Sequence, residues 1–168
     1  MRQRSALAVR GPLALGAGLT LLLSLVALTG RWDADGEKRV AGRIIELTNN
    51  VRQEHGQAAL SADPRLTHAA ERYASEMASR NWFDHVSPDG STVEQRTEAS
   101  GYQGWTVLAE NLASGPGGPV PAEILDRWLA SPTHRRNLLS PDLTDVGVAC
   151  RALGGRFWCA QEFGVRPP

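Results

Sequence analysis

The sequence predicts a small mixed α/β domain, laid out as α+β or as an α/β/α sandwich and preceded by an apolar N-terminal helix. Three observations predict it. Apolar residues recur at helical spacing from residue 40 to about 140, two strand-like runs close the chain around a Gly-Gly turn, and no internal repeat interrupts this helices-then-strands order. The composition agrees: of 168 residues, 42% are hydrophobic and 21% charged, and five are Trp, which argues against a largely disordered chain.

The formal charge is zero, but it sums two different pieces. Arg2, Arg4 and Arg10 open the chain without an acid among them, and residues 31–168 hold 15 bases and 18 acids. A partner bound mainly through phosphates would call for a basic excess, so nucleic acid is not an expected partner. Between Arg10 and Arg31 run twenty uncharged residues, GPLALGAGLTLLLSLVALTG. As a helix they would be about 30 Å long, enough for a bilayer. Their dense core at 19–28 has signal-peptide length, and length alone leaves open a cleaved signal and a retained single-span anchor. Basic residues before the segment and Asp33, Asp35 and Glu37 after it predict an exported remainder. The expected organisation is a signal or anchor at 1–30, a short polar tether at 31–39 and one domain at 40–168.

In the domain, Val40, Ile44, Leu47 and Val51 mark the first helix, which His55 and Gly56 suit as its C-terminal end. Asp63-Pro64 supplies an N-cap and a first-turn proline for a second helix whose buried stripe is Leu66, Ala70, Tyr73 and Met77, with His68 on the solvent face. NWFDHVSPDG (81–90) lacks a period and ends in a turn, so it is a loop. A short helix over 92–100 follows, then a strand at 105–108 that leads into AENLASGPGGP, read as a flexible loop. Its glycines lack the spacing of a phosphate-binding loop. A helix at 121–130 turns Ile124, Leu125, Trp128 and Leu129 inward, and Ser131-Pro132 caps the next, which carries His134 in its first turn and ends near Ser140.

DVGVACRAL and RFWCAQEFG flank Gly154-Gly155 as a hairpin. Counting outward from a two-residue turn puts Cys150 opposite Cys159 in a non-hydrogen-bonded pair, where side chains come closest. That register predicts a disulfide, with two buried thiols as the alternative. Three titratable residues stand outside core or cap roles: His85, Glu110 and His134. Two imidazoles and a carboxylate can form a divalent-metal site or a general acid/base group, although their spacing alone is weak evidence.

The motifs LTNNVRQEHGQAALSADPRL (47–66), FDHVSPDG (83–90), AENLASG (109–115), WLASPTHRRNLLSP (128–141), DVGVAC (145–150) and FWCAQEFG (157–164) together resemble a bacterial CAP-superfamily (SCP-like) domain. Cysteine-rich secretory, antigen 5 and pathogenesis-related proteins belong to that superfamily. The resemblance covers about residues 40–165. It implies an α/β/α sandwich of CAP type with a small, mostly antiparallel sheet and a cleft carrying a His/Glu tetrad that binds a divalent cation in some members. By position, His85 and Glu110 match the first histidine and first glutamate, and His134 stands for the second histidine. The second glutamate is missing, because Ser131 follows Trp128 at that place. His85, Glu110 and His134 would still be a chemically complete set for Zn, or for Ca or Mg, with Asn111 and Ser131 as cleft support. The leading expectation is an extracytoplasmic binding or interaction module. A metal-assisted or His/Glu acid–base hydrolase of an envelope polymer or peptide is the alternative, and carriage of a lipid or other apolar ligand a third. The expected partners are an envelope component, a lipid or a protein, with membrane contact through 11–30 if that segment is retained.

Overall fold

In a computed structural model, which describes residues 33–166, the apolar periodicities become five helices and four strands. They are α1 (Ala34–Glu54), β1 (Ser61–Ala62), α2 (Pro64–Arg80), α3 (Val93–Ala99), β2 (Val107–Pro116), α4 (Pro121–Ala130), α5 (Pro132–Leu139), β3 (Asp145–Leu153) and β4 (Arg156–Val165). The apolar segment at 11–30, with its signal-or-anchor alternatives, lies outside the described residues. Among the described residues no helix is long and apolar enough to cross a membrane.

α1 starts within the stretch expected to be a tether. Asp33 caps it by accepting the Gly36 N–H (2.7 Å), and Asp35 and Glu37 favour the positive end of the helix dipole. Its most buried row is Val40, Ile44, Thr48 and Arg52, while Leu47 and Val51 pack only partly against the core. His55 closes the helix, its Nδ1 bonded to the Val51 carbonyl (2.8 Å), and Gly56 takes a positive φ of 73°. α2 has its Asp63 cap, its first-turn Pro64 and its buried Leu66, Ala70, Tyr73 and Met77, with His68 outside.

The sheet order is β1-β3-β4-β2, antiparallel except for the short parallel β1–β3 pair. α2 supplies one face, with Tyr73, Ala74 and Met77 against Leu112, Ala149, Trp158 and Ala160. α1, α4 and α5 cover the other through Val40, Ile44, Ile124, Trp128 and Leu138. α2 lies close on β3 because Gly147 has no side chain; a Cβ there would overlap the Leu66 backbone. The closing hairpin has the register counted from its turn, and the Cys150–Cys159 disulfide joins directly opposed residues.

β2 corrects one expectation. The AENLASG segment is a strand, paired residue for residue with β4 from Val107↔Val165 to Pro116↔Arg156. Its small residues allow this: a Cβ on Gly115 would stand 3.0 Å from the Phe157 ring. The turn begins only at Gly117, with φ of 77°. β2 is an edge strand whose outward carbonyls are taken by side chains: Glu110 by Asn137 Nδ2 (3.2 Å), Leu112 by Trp128 Nε1 (2.9 Å) and Ser114 by Arg127 Nη1 (3.4 Å). That masks the edge against further pairing and fixes α4 and α5 beside it.

A candidate His/Glu cleft beside the edge strand

Glu110 points from β2 toward the α2–α3 layer and is buried. One oxygen accepts from His85 Nδ1 at 2.6 Å and the other from Arg96 Nη2 at 2.7 Å. His85 reaches it from the 81–90 loop, which is tied down on both sides. Tyr73 donates its hydroxyl to the Asp84 carbonyl, and Arg96 donates to the carbonyls of His85 (3.1 Å) and Ser91 (2.9 Å). The Arg96 guanidinium lies over the Tyr73 ring, 3.4 Å from its centre. Burial pushes the Tyr73 phenol up to about 12, so it stays a neutral donor at neutral pH.

His85 keeps 56% of its side chain exposed and, with Phe83, Asp84, Leu112 and His134, lines a cleft of about 280 Å³. The two imidazoles are driven apart. The hydrogen bond to Glu110 raises the pKa of His85, while burial, and then the charge on His85, lowers that of His134. Over the interval between them, the cleft offers one imidazolium and one neutral ring.

A second acid stands behind the first. Glu162 of β4 is directly opposite Glu110, and the hairpin register makes this a non-hydrogen-bonded pair, whose side chains are the closer kind. Both Glu162 oxygens are buried and lack a donor among the described residues. Two facing carboxyls cannot both ionise cheaply. Burial first, and then the Glu110 charge, hold Glu162 well above the ordinary carboxylate range, so it is the neutral partner facing Glu110. Glu110 is therefore held by an imidazole and a guanidinium, with a protonated acid facing it across the strands.

The structure brings three of the expected site residues to one place. Asn111 is on the opposite side of β2 from Glu110 and braces it: Oδ1 accepts from Asn137 (2.9 Å), and Nδ2 donates to Gln161 (3.1 Å) and to the His134 carbonyl (3.4 Å). Gln161 continues this chain to Thr48 of α1 (3.1 Å). Ser131 joins α4 to α5 outside the cleft lining, and its hydroxyl makes no capping bond. As arranged, the predicted trio does not fit a cation: both Glu110 oxygens are committed, and among the described residues no three His, Cys, Asp or Glu side chains converge to hold a metal. Sequence reasoning missed Arg96 and Glu162. The signal for Glu162 was present in Gln161-Glu162, two adjacent polar residues inside a run otherwise apolar enough to be buried on both faces.

Comparison with known proteins agrees with this architecture. The profile of the cysteine-rich secretory protein family (CAP) matches residues 45–163. The Bacillus subtilis protein YkwD is 32% identical over 122 residues, which are 73% of this chain and 46% of YkwD. An extracellular protein containing an SCP domain from Bacillus anthracis superposes with a TM-score of 0.68 at 29% identity, covering 79% of this chain and 42% of that one. An outer surface protein of Borrelia burgdorferi shares the fold at 23% identity, with a TM-score of 0.70 over 77% of this chain and 95% of its own. The chain spans less than half the length of the curated relatives it matches.

Proposed function

The chain belongs to the cysteine-rich secretory protein (CAP) family, and from that premise we propose that it is an extracytoplasmic binding module that takes its ligand in the cleft at His85, Glu110 and His134. The observation that carries this reading is the exposed His85 ring, held from behind by the buried Glu110 and sharing an open cleft with His134. A cleft of about 280 Å³ lies just under the usual range for small-molecule sites, about 300–1,000 Å³, so it suits one chemical group of a larger ligand. The exposed His85 ring can donate to an acceptor oxygen of that group, and Phe83 adds an apolar wall. Export supports an envelope component as the ligand; the sequence of 1–30 and the extracellular and surface relatives favour it.

The opposite shifts of the two histidines favour a second reading, an acid–base hydrolase in which neutral His134 accepts a proton from water and charged His85 donates to the substrate oxygen. Binding and turnover of soluble cell-wall glycan and stem-peptide fragments separate the two. Retention of a fragment by the wild type, lost in His85→Ala/His134→Ala and without cleavage, is the expected result. Cleavage abolished by the same variant selects the hydrolase, and binding unchanged by it rejects the cleft. Zinc titration by calorimetry covers the cation: heat seen in the wild type and absent in the variant would show that His85 leaves Glu110 for a metal.

A further inference from the structure

The sheet has two edges, and the fold treats them differently. β2 has its outward carbonyls taken by Asn137, Trp128 and Arg127. The other edge is β3, because β1 pairs only with Asp145 and Val146. Counting from the hairpin turn, Ala149 and Arg151 exchange hydrogen bonds with β4, whereas Val148, Cys150 and Ala152 turn their N–H and C=O groups outward. Val146, in the same outward row, accepts from the Asp63 N–H (2.9 Å). There the chain leaves the sheet to begin α2, and beyond Val146 no backbone group of the described residues meets the row.

This open edge is the floor of a groove. α1 packs on one face of β3 and α2 on the other, and between them a groove of about 410 Å³ runs along Val148–Arg151. Ala41, Gly42 and Ile45 of α1 form one wall, and Thr67, Glu71 and Ser75 of α2 the other. Glycine is a poor helix former, and Gly42 stands in mid-helix where a Cβ would meet no neighbour within 4 Å. Its missing side chain widens the groove and serves no packing. At one end Arg151, which also lines the α2 side of β3, crosses to Glu37 of α1 (2.9 Å) as a strap. A surface ion pair of this kind opens at little cost.

The floor dictates the occupant. Donors and acceptors repeating at strand spacing complement the partial charges of a peptide backbone, and a lipid chain would leave them unpaired. Val148 and Cys150 are 1% and 4% exposed, too deep between the helices for the edge of a second folded sheet. A single extended segment is the shape that fits, and from 148 to 152 the edge offers about 13 Å, the length of roughly five residues.

We propose that the groove between α1 and α2 binds an extended peptide segment of another protein, which adds to β3 as a further strand and continues the row that β1 begins. Main-chain hydrogen bonds to Val148, Cys150 and Ala152 hold it, and the walls select its side chains. Those toward α1 are small or apolar, against Ala41 and Ile45, and those toward α2 are small and polar, against Thr67 and Ser75.

The probes are heptapeptides selected from a random displayed library on the full chain in mild detergent, then synthesised. They should bind the wild type and not Gly42→Leu, whose side chain fills the groove in open space and whose undiminished melting temperature reports an intact fold. In the wild-type complex, hydrogen exchange should slow at the amides of Val148, Cys150 and Ala152, with Ala149 and Arg151, already bonded to β4, as internal controls. N-methylation of alternate peptide amides, which leaves every side chain in place, should abolish binding. A library that yields no peptide preferring the wild type to Gly42→Leu overturns the proposal, as does a bound peptide that leaves exchange at 148, 150 and 152 unchanged. A wild-type dimer that Gly42→Leu dissociates would give the groove to a second copy and overturn it as well.

Discussion

Glu162 concentrates the electrostatics of the cleft in one side chain. Its pKa is raised in the fold, so the folded protein holds a proton that the unfolded chain releases near the ordinary carboxylate value of about 4.3. Stability therefore falls as pH rises from that value toward the folded-state pKa. Replacing the acid by an amide of the same shape keeps a neutral polar group facing Glu110 and removes the titration. Glu162→Gln should raise the melting temperature at neutral pH, with the gain shrinking as pH falls toward about 4.3 and gone below it; thermal unfolding across pH measures it. Glu162→Ala, which leaves a cavity beside the Glu110 carboxylate, should lower it at every pH.

At the scale of elements, two contacts hold the layers in place. Arg52 is fully buried on α1 with no acid paired to it among the described residues, and its guanidinium donates to the carbonyls of Ala58 (2.7 Å), Leu138 (2.8 Å) and Ser140 (2.9 Å), with a longer bond to Leu143 (3.4 Å). Arg52→Met would leave those carbonyls unpaired, at a cost of about 3 kcal/mol or more, measurable by denaturant unfolding. Gly147→Ala forces α2 away from β3 and should cost at least as much, with loss of the Glu110–Glu162 geometry behind it. Helices were legible in the sequence where caps and apolar period agreed, as at Asp63-Pro64 and at 121–130. The hairpin was legible to the residue because a two-residue turn fixes register locally. α1's start and β2 were not: a polar first turn looks like a tether, and a strand of Ala, Ser and Gly looks like a loop until β4 is beside it. The same distinction divides the site. His85, Glu110 and His134 could be singled out one by one, whereas Arg96 and Glu162 belong to it only through non-local pairing of α3 and β4 with β2.

For the molecule as a whole, the Cys150–Cys159 bond closes a short hairpin loop, which places its entropic contribution at about 2–3 kcal/mol. A Cys150→Ala/Cys159→Ala variant should keep the fold, which already has its hairpin register, and unfold at correspondingly lower denaturant. One loop, one edge strand and one helix start bring together two histidines that their surroundings drive apart: the bond to Glu110 raises the pKa of His85, while burial and then the His85 charge lower that of His134 in the same cleft. NMR titration of the two imidazoles tests it most directly. The account predicts that His85 titrates above the ordinary histidine pKa of about 6.5 and His134 below it, and that Glu110→Gln brings His85 down. Two superimposed curves near the ordinary value, indifferent to Glu110→Gln, would contradict it.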